Sequence, residues 1–437
     1  MANESRFGRL ARLGGLTTKV TSGWIGQRVR SAFADEEGRR KLEERFHLES
    51  AAQMVETLGR LKGAAMKVGQ SISLAAQHLD LPDDARALLN KLQSQGEPVP
   101  FERIRATVER ELEGTLEEKF KSFDPRPLGT ASLAQAHVAF LHDGSEVVVK
   151  VLHDGVDDAL DTDLMALRGL LATGRAMGRD KDELEGVFAE VRERLSEELD
   201  YLHEARNLHE FHRAFGADPD LRIPRHHPAY CTERVIVLDR LPGKPMTVFL
   251  QTATPEARQR AGLALARLFL DGAFRHRLLH ADPHPGNFLF EEDGRVGLLD
   301  FGCVKRFDRF WIGHYARAVK AALIGDRAML FQAVRDLGAW RGDSAQGGDV
   351  IWDFCYSIID PLQHGPHTLG TDDTAVEKVQ AVVKRMWAVP EVVGPPDIVF
   401  LHRTLGGLYT MASQLKVTAD WPKMVMPYLD HAISEMR

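Results

Sequence analysis

The segment His280 to Gly302, HADPHPGNFLFEEDGRVGLLDFG, constrains this chain more than any other stretch. It holds His280-Ala281-Asp282, then Asn287 five residues past the aspartate, then Asp300-Phe301-Gly302 with its Asp thirteen past the asparagine. Between them, Asn287-Phe288-Leu289-Phe290, a turn over 291–294 and Val296-Gly297-Leu298-Leu299 read as a short hairpin. Such a hairpin carries Asn287 and Asp300 to adjacent positions at one end. Carboxylate and amide oxygens at these spacings suit Mg²⁺, which takes one or two carboxylates together with phosphates. The competing reading is a metal site of His280, Asp282 and His284, which would imply a hydrolase.

The order and spacing are those of a protein-kinase-like catalytic segment. There the first Asp orients or deprotonates the attacking group, and the Asn and second Asp hold magnesium ions bridging the nucleotide phosphates. Such a site needs a cation for the phosphates, and the sequence offers one upstream. The stretch from Pro127 to His137 leads into a strand, Asp143-Gly144 marks a turn, and Glu146-Val147-Val148-Val149-Lys150-Val151-Leu152 is a second strand. A lysine inside an all-valine strand needs an anionic partner, unless it lies on an edge facing water. The loop ahead of it, Gly129, Thr130, Ala131 and Ser132, falls where a phosphate-covering loop belongs. Its single glycine predicts a stiffer lid than a glycine-rich one. Residues 182 to about 211 read as one acidic helix on which Glu197, Asp200 and Glu204 share a face, a like-charge arrangement that calls for a compensating cation. A strand from Glu233 to Leu241 then reaches Pro242-Gly243, placing Asp239 and Leu241 at an interlobe hinge beside the nucleotide.

The chain has 437 residues, enough for two or three substantial cores, and a net charge of −7, which argues against a broad nucleic-acid footprint. Its three cysteines, Cys231, Cys303 and Cys355, are far apart and lack metal spacing, so a reducing, cytoplasmic setting is expected. No run of 18 apolar residues and no signal-type opening is present, so neither a membrane span nor a secretory signal is expected.

Residues 1–30 carry Arg6, Arg9, Arg12, Lys19, Arg28 and Arg30 against Glu4, with Leu10, Leu13, Leu16, Val20 and Trp24 at helical spacing. Such a segment can lie peripherally on the anionic inner face of a membrane; a helix docked on the main body accounts for it equally well. A long helical pattern follows over 36–75, with Lys67 and Gln70 off its apolar face, where solvated residues are the ordinary reading. A further helix is predicted with stripe Phe101, Ile104, Val108 and Leu112. Another starts at Thr254-Pro255, and a last one at Pro395-Pro396 carries Ile398, Leu401, Leu405 and Leu408. After Gly302 helical patterns resume from about Trp311, with no long activation segment.

With these motifs assembled, the chain resembles the UbiB/ADCK family of atypical kinases, which supports coenzyme Q (ubiquinone) biosynthesis. The family's Lys-x-Gly-Gln signature matches Lys67-Val68-Gly69-Gln70, its Ala-rich loop matches Gly129 to Gln135, and its strand lysine matches Lys150. Its Glu-x-Asp pair and following Glu match Glu198, Asp200 and Glu204. Asp282, Asn287 and Asp300 match the catalytic and metal positions, and the C-terminal Leu401-His402-Arg403-Thr404-Leu405-Gly406-Gly407 run is also family-like.

The resemblance implies an α+β, protein-kinase-like two-lobe fold. An N-terminal helical extension over 1–125, a small lobe over 126–241 and a mostly helical large lobe over 242–437 are expected. It implies ATP or ADP and Mg²⁺ as cofactors. Catalysis would rest on Asp282, Lys150 and Glu204 with Lys67 and Gln70, and regulation on Lys67, Gly69, Gln70, Glu198 and Asp200. The Lys-x-Gly-Gln helix would lie over the active site where a protein substrate would dock. Quinone-biosynthesis enzymes or a membrane lipid are the implied partners, and water or a lipid-like molecule the acceptor. Two alternatives stay open. Aminoglycoside- and choline-kinase-type phosphotransferases share His-x-Asp-x-His-x-x-Asn but lack the Lys-x-Gly-Gln helix, and a non-catalytic nucleotide-binding scaffold would keep the site without turnover.

Overall fold

The computed structural model describes residues 98–131, 133–156, 192, 196, 199–359, 365–371, 379, 381–383, 385–386 and 389–437. The basic segment 1–30, the helical pattern 36–75 with Lys67, Gly69 and Gln70, and Ser132, Glu197 and Glu198 lie outside the described residues. The described residues form two compact units. One holds those up to Ala205 together with His226–Arg240, the other Arg206–Arg225 with Leu241–Arg437.

The first unit begins with α1 (Phe101–Glu111), whose Ile104 and Val108 are buried. A four-residue helix, α2 (Leu116–Lys119), follows, with a reciprocal cap between Thr115 and Glu118. Strands β1 (Ser122–Thr130), β2 (Ala134–Phe140) and β3 (Glu146–Leu152) pair in sequence as antiparallel neighbours. The predicted Asp143-Gly144 turn joins the last two, with Gly144 at φ 92° and Asp143 Oδ1 accepting from Ser145 N at 2.9 Å. After the short β4 (Leu221–Arg222), strand β5 (Val235–Asp239) pairs with β3, giving the order β1-β2-β3-β5. Strand alternation sends Val147, Val149 and Val151 into one core with Ile104, Val108, Leu112 and Phe120. Lys150 therefore points to the other face, and β3 is a central strand, which removes the edge-lysine reading.

The acidic helix differs from expectation. Helix α3 is Tyr201–Phe215, and Asp200 stands before it as a cap, with Oδ1 accepting from His203 N at 3.0 Å. A short carboxylate competes well for the orphan amides of a first turn, so Asp200 starts a helix instead of sharing a face with Glu204.

In the second unit, β7 (Phe288–Phe290) and β8 (Val296–Leu298) form the predicted hairpin, and β4 joins β8 in parallel. Helix α4 (Met246–Thr252) precedes α5 (Pro255–Asp271), where Thr254 Oγ1 caps Ala257 N at 3.2 Å. A π-helical turn over Gly272–His276, closed by Arg277 in the left-handed region, delivers the chain into β6 (Leu278–His280). Strand β9 (Val304–Arg306) pairs with β6. The unit's further described helices include α6 (Arg309–Ile324), α7 (Arg327–Asp336), α8 (Ala345–Ile359), α9 (Pro396–Leu415) and α10 (Trp421–Ser434), with a two-stranded β10 (His367–Thr368) and β11 (Thr418–Ala419). Asp308 caps α6 through Phe310 N and Trp311 N, so a helix does follow Gly302 almost directly. Among the described residues no helix is long and apolar enough to cross a membrane.

Candidate active site

Two small ladders fix the loop between His280 and Phe288. At one end β6 pairs with β9, and Ala281 N donates to Cys303 O at 3.0 Å. At the other, Leu299 N donates to Asn287 O at 3.0 Å, extending the hairpin to the residue before Asp300. Within the loop, Asn287 Nδ2 donates to Asp282 Oδ2 at 2.7 Å and to Asp282 O at 3.1 Å. The amide thus orients the carboxylate, while its own carbonyl oxygen, the atom a hard cation would take, points the other way. Asp300 Oδ1 accepts from Gly302 N at 2.9 Å, and a Cβ on Gly302 would come within 3.3 Å of that oxygen. Asp282, Asn287 and Asp300 are all half-buried.

His280 is not aimed at a metal. Its Nε2 lies 2.5 Å from Asp300 O, an atom that only accepts, so the ring carries its proton at Nε2. The ring is 4% exposed and packs edge-on against Phe211 and Phe301, while the exposed His284 caps Gly286 N at 3.0 Å. Among the described residues no group of three His, Cys, Asp or Glu could hold a metal ion, which removes the His280-Asp282-His284 reading.

Three supporting residues were missed by sequence reasoning. Asn207 of α3, fully buried, donates to Phe301 O at 2.8 Å and accepts from Arg306 Nη2 at 2.9 Å. Arg403 of α9 donates through Nη2 to Ala281 O and approaches Cys303 Sγ at 3.8 Å, touching the segments on either side of Asp282 and Asp300. One turn on, a Cβ at Gly407 would lie 2.4 Å from Pro283 Cγ, so only glycine lets α9 come this close to the loop. The signal for the last two was the family-like Leu401 to Gly407 run. Asn207 had none while the frame of α3 was wrong.

In the first unit Lys150 Nζ lies 2.5 Å from Glu204 Oε1 and 5.6 Å from the Tyr201 ring centroid. The Glu204 side chain is 4% exposed, and a carboxylate so buried requires its cation. The pairing register sets Gly129, Ala136, Lys150 and Ile236 in one row across the sheet, and directly opposed residues share a face. Lys150 therefore has only small side chains on its β1–β2 side. A Cβ on Gly129 would meet nothing within 4 Å, so neither packing nor a positive φ demands glycine there. Past Thr130, the last residue of β1, Ala131 N donates to Ala134 O at 2.8 Å. Asp239 ends β5 with Oδ1 2.9 Å from His227 Nε2, and Leu241, the first residue past the unit boundary, packs near Gly297.

A four-stranded antiparallel sheet whose central lysine pairs with a helical glutamate, and a loop and hairpin bearing Asp, Asn and Asp, are the parts of a protein-kinase-like α+β fold. The profile described as "ABC1 atypical kinase-like domain" matches residues 91–334, more than half of the chain, and the chain belongs to that family. It is similar to the rat "Atypical kinase COQ8B, mitochondrial", at 28% identity over 94% of this chain and 78% of the relative. The Saccharomyces cerevisiae "Atypical kinase COQ8, mitochondrial" is 26% identical over 84% of this chain and 73% of its own length. The Caenorhabditis elegans "Atypical kinase coq-8, mitochondrial" is 27% identical over 96% of this chain, which spans 57% of that relative. The solved structure described as "The complex structure of Rv3197-erythromycin from Mycobacterium tuberculosis" has a TM-score of 0.62 at 26% identity, covering 90% of this chain and 98% of that one. The UbiB/ADCK resemblance is thereby borne out.

Proposed function

We propose that this protein is an Mg²⁺- and ATP-dependent atypical kinase or ATPase that supports isoprenoid quinone (ubiquinone) metabolism. The observation that carries the reading is the buried Lys150–Glu204 pair on a central strand, flanked by Gly129 and Ala136. Glu204 holds the ammonium of Lys150, which engages phosphate oxygens of the nucleotide, with Gly129, Thr130, Ala131 and Ser132 covering them and Asp239 and Leu241 bordering the base. Asn287 and Asp300 supply one amide and one carboxylate oxygen, a donor set that fits magnesium completed by phosphates. Asn287 and Asp300 would hold the ion, whose charge would offset that on the transferring phosphoryl group. Asn287 occupies Asp282 Oδ2, so Oδ1 is the atom that orients the acceptor hydroxyl or water and takes its proton. Lys67, Gly69 and Gln70, with Glu198 and Asp200, regulate access to the site in this reading.

The test is ATP turnover by the full chain, with and without lipid vesicles. Lys150→Ala and Asp300→Asn are expected to lose at least about 100-fold, and turnover unchanged in both variants would overturn the proposal. Quinone content after deletion of the gene, restored by the wild type and not by Asp300→Asn, tests the pathway. Tight nucleotide binding with no turnover would point instead to a scaffold.

A further inference from the structure

A cavity of about 310 Å³ lies in the second unit among α5, α6, α8, α9 and α10. None of the residues assigned to nucleotide or metal lines it. Helix α9 has two working faces. Arg403 and Gly407 meet the loop around Asp282, whereas Ile398, His402, Leu405 and Tyr409 line the cavity.

The space is unusual for a protein interior. Interiors pack like organic crystals, with few voids larger than a water molecule, and the cost of an empty apolar void rises with its volume. Water gains little here, because a part-open and mostly apolar wall offers a water molecule few partners. At about 310 Å³ the cavity falls within the range of small-molecule pockets, roughly 300–1,000 Å³.

Its chemistry is narrow. Among the described lining residues there is no Asp, Glu, Lys or Arg. Aromatic rings crowd one side: Phe274 and His402 both pack on Tyr315, and Phe354 packs on His402. Tyr315 Oη lies 2.9 Å from His402 Nε2. In either imidazole tautomer the phenol oxygen keeps a lone pair able to accept one further hydrogen bond. His402 and Cys355 both line this space. Burial pushes His402 down to about 4 and the Cys355 thiol up to about 12, so both are neutral.

From this geometry we infer that the cavity is a binding site for a neutral, largely hydrocarbon molecule bearing one hydroxyl, seated with that hydroxyl on Tyr315 Oη. Among the described lining residues no cation would offset the desolvation of a carboxylate or phosphate head, which favours a neutral one. The site is independent of the nucleotide reading and is tested without it.

The experiment is calorimetric titration of the full-length chain with 1-octanol, with octanoate as the anionic counterpart. Wild type is expected to bind one octanol saturably and octanoate not at all. Ala266→Phe, which places a ring into the cavity from α5, is expected to abolish octanol binding while keeping the wild-type circular dichroism spectrum. Tyr315→Phe keeps the space but removes the acceptor and is expected to bind octanol about 3- to 10-fold more weakly. It decides the matter if Ala266→Phe fails to fold. No saturable octanol binding by wild type, equal binding of octanoate, unchanged binding by a folded Ala266→Phe, or unchanged affinity in Tyr315→Phe would each overturn the assignment.

Discussion

Lys150 and Glu204 show how one side chain can be required by another. With the Glu204 side chain 4% exposed and that of Lys150 18% exposed, removing either partner strands a charge in a poorly solvated place. Glu204→Gln is expected to destabilise the protein by about 3 kcal/mol, and Lys150→Met combined with Glu204→Gln by clearly less than the sum of the single changes. Chemical denaturation of the four proteins of this cycle measures it, and additive effects would mean the pair is not coupled. The hairpin that carries Asn287 toward Asp300, and the strand that carries Lys150, were legible in the sequence because each belongs to a short local motif whose spacing survives any tertiary arrangement. Asn207 was not. Its meaning depends on where α3 begins, and a carboxylate that caps a helix looks in sequence like one that continues it.

At the scale of elements, α9 adds a clamp to a loop already held at both ends by short ladders. Arg403→Met removes the donor to Ala281 O and is expected to lower the kcat for ATP turnover about 10-fold or more with little change in nucleotide KM. Arg403→Lys would rescue only in part, since the shorter reach and compact ammonium of lysine do not place a donor where the Arg403 Nη2 meets Ala281 O and Cys303 Sγ. A kcat loss matched by an equal fall in the folded fraction, read by active-site titration or circular dichroism, would assign Arg403 to general folding. Gly407→Ala is expected to cost about 1–3 kcal/mol in thermal or denaturant unfolding, because the new methyl must displace Pro283. The helices with sharp caps, at Thr254 and Asp308, were readable or nearly so from local chemistry. The π-helical turn over Gly272–His276 was not, because nothing in its own residues demands the extra residue per turn.

For the molecule as a whole, acid stability should reflect a buried imidazole. His402 is held neutral, its pKa depressed by burial to about 4 from 6.5. The unfolded chain binds this proton first, so the associated stability is fully present above about pH 6.5 and is lost as the pH falls toward 4. The slope from this one group is at most about 1.4 kcal/mol per pH unit. Denaturant midpoints measured from pH 7 to 4 should fall less steeply in His402→Leu than in wild type, and identical slopes would remove the argument. The general architecture was readable because the change of hydrophobic period, from two in the strands to 3.6 in the helices, is written along the chain. The clamp on the loop was not, since it joins residues 122 positions apart. That separation has a consequence during synthesis. The ribosome completes Asp282, Asn287 and Asp300 long before it makes Arg403, so a nascent chain carries this loop with its two short ladders but without the clamp on Ala281 O until α9 has emerged and docked.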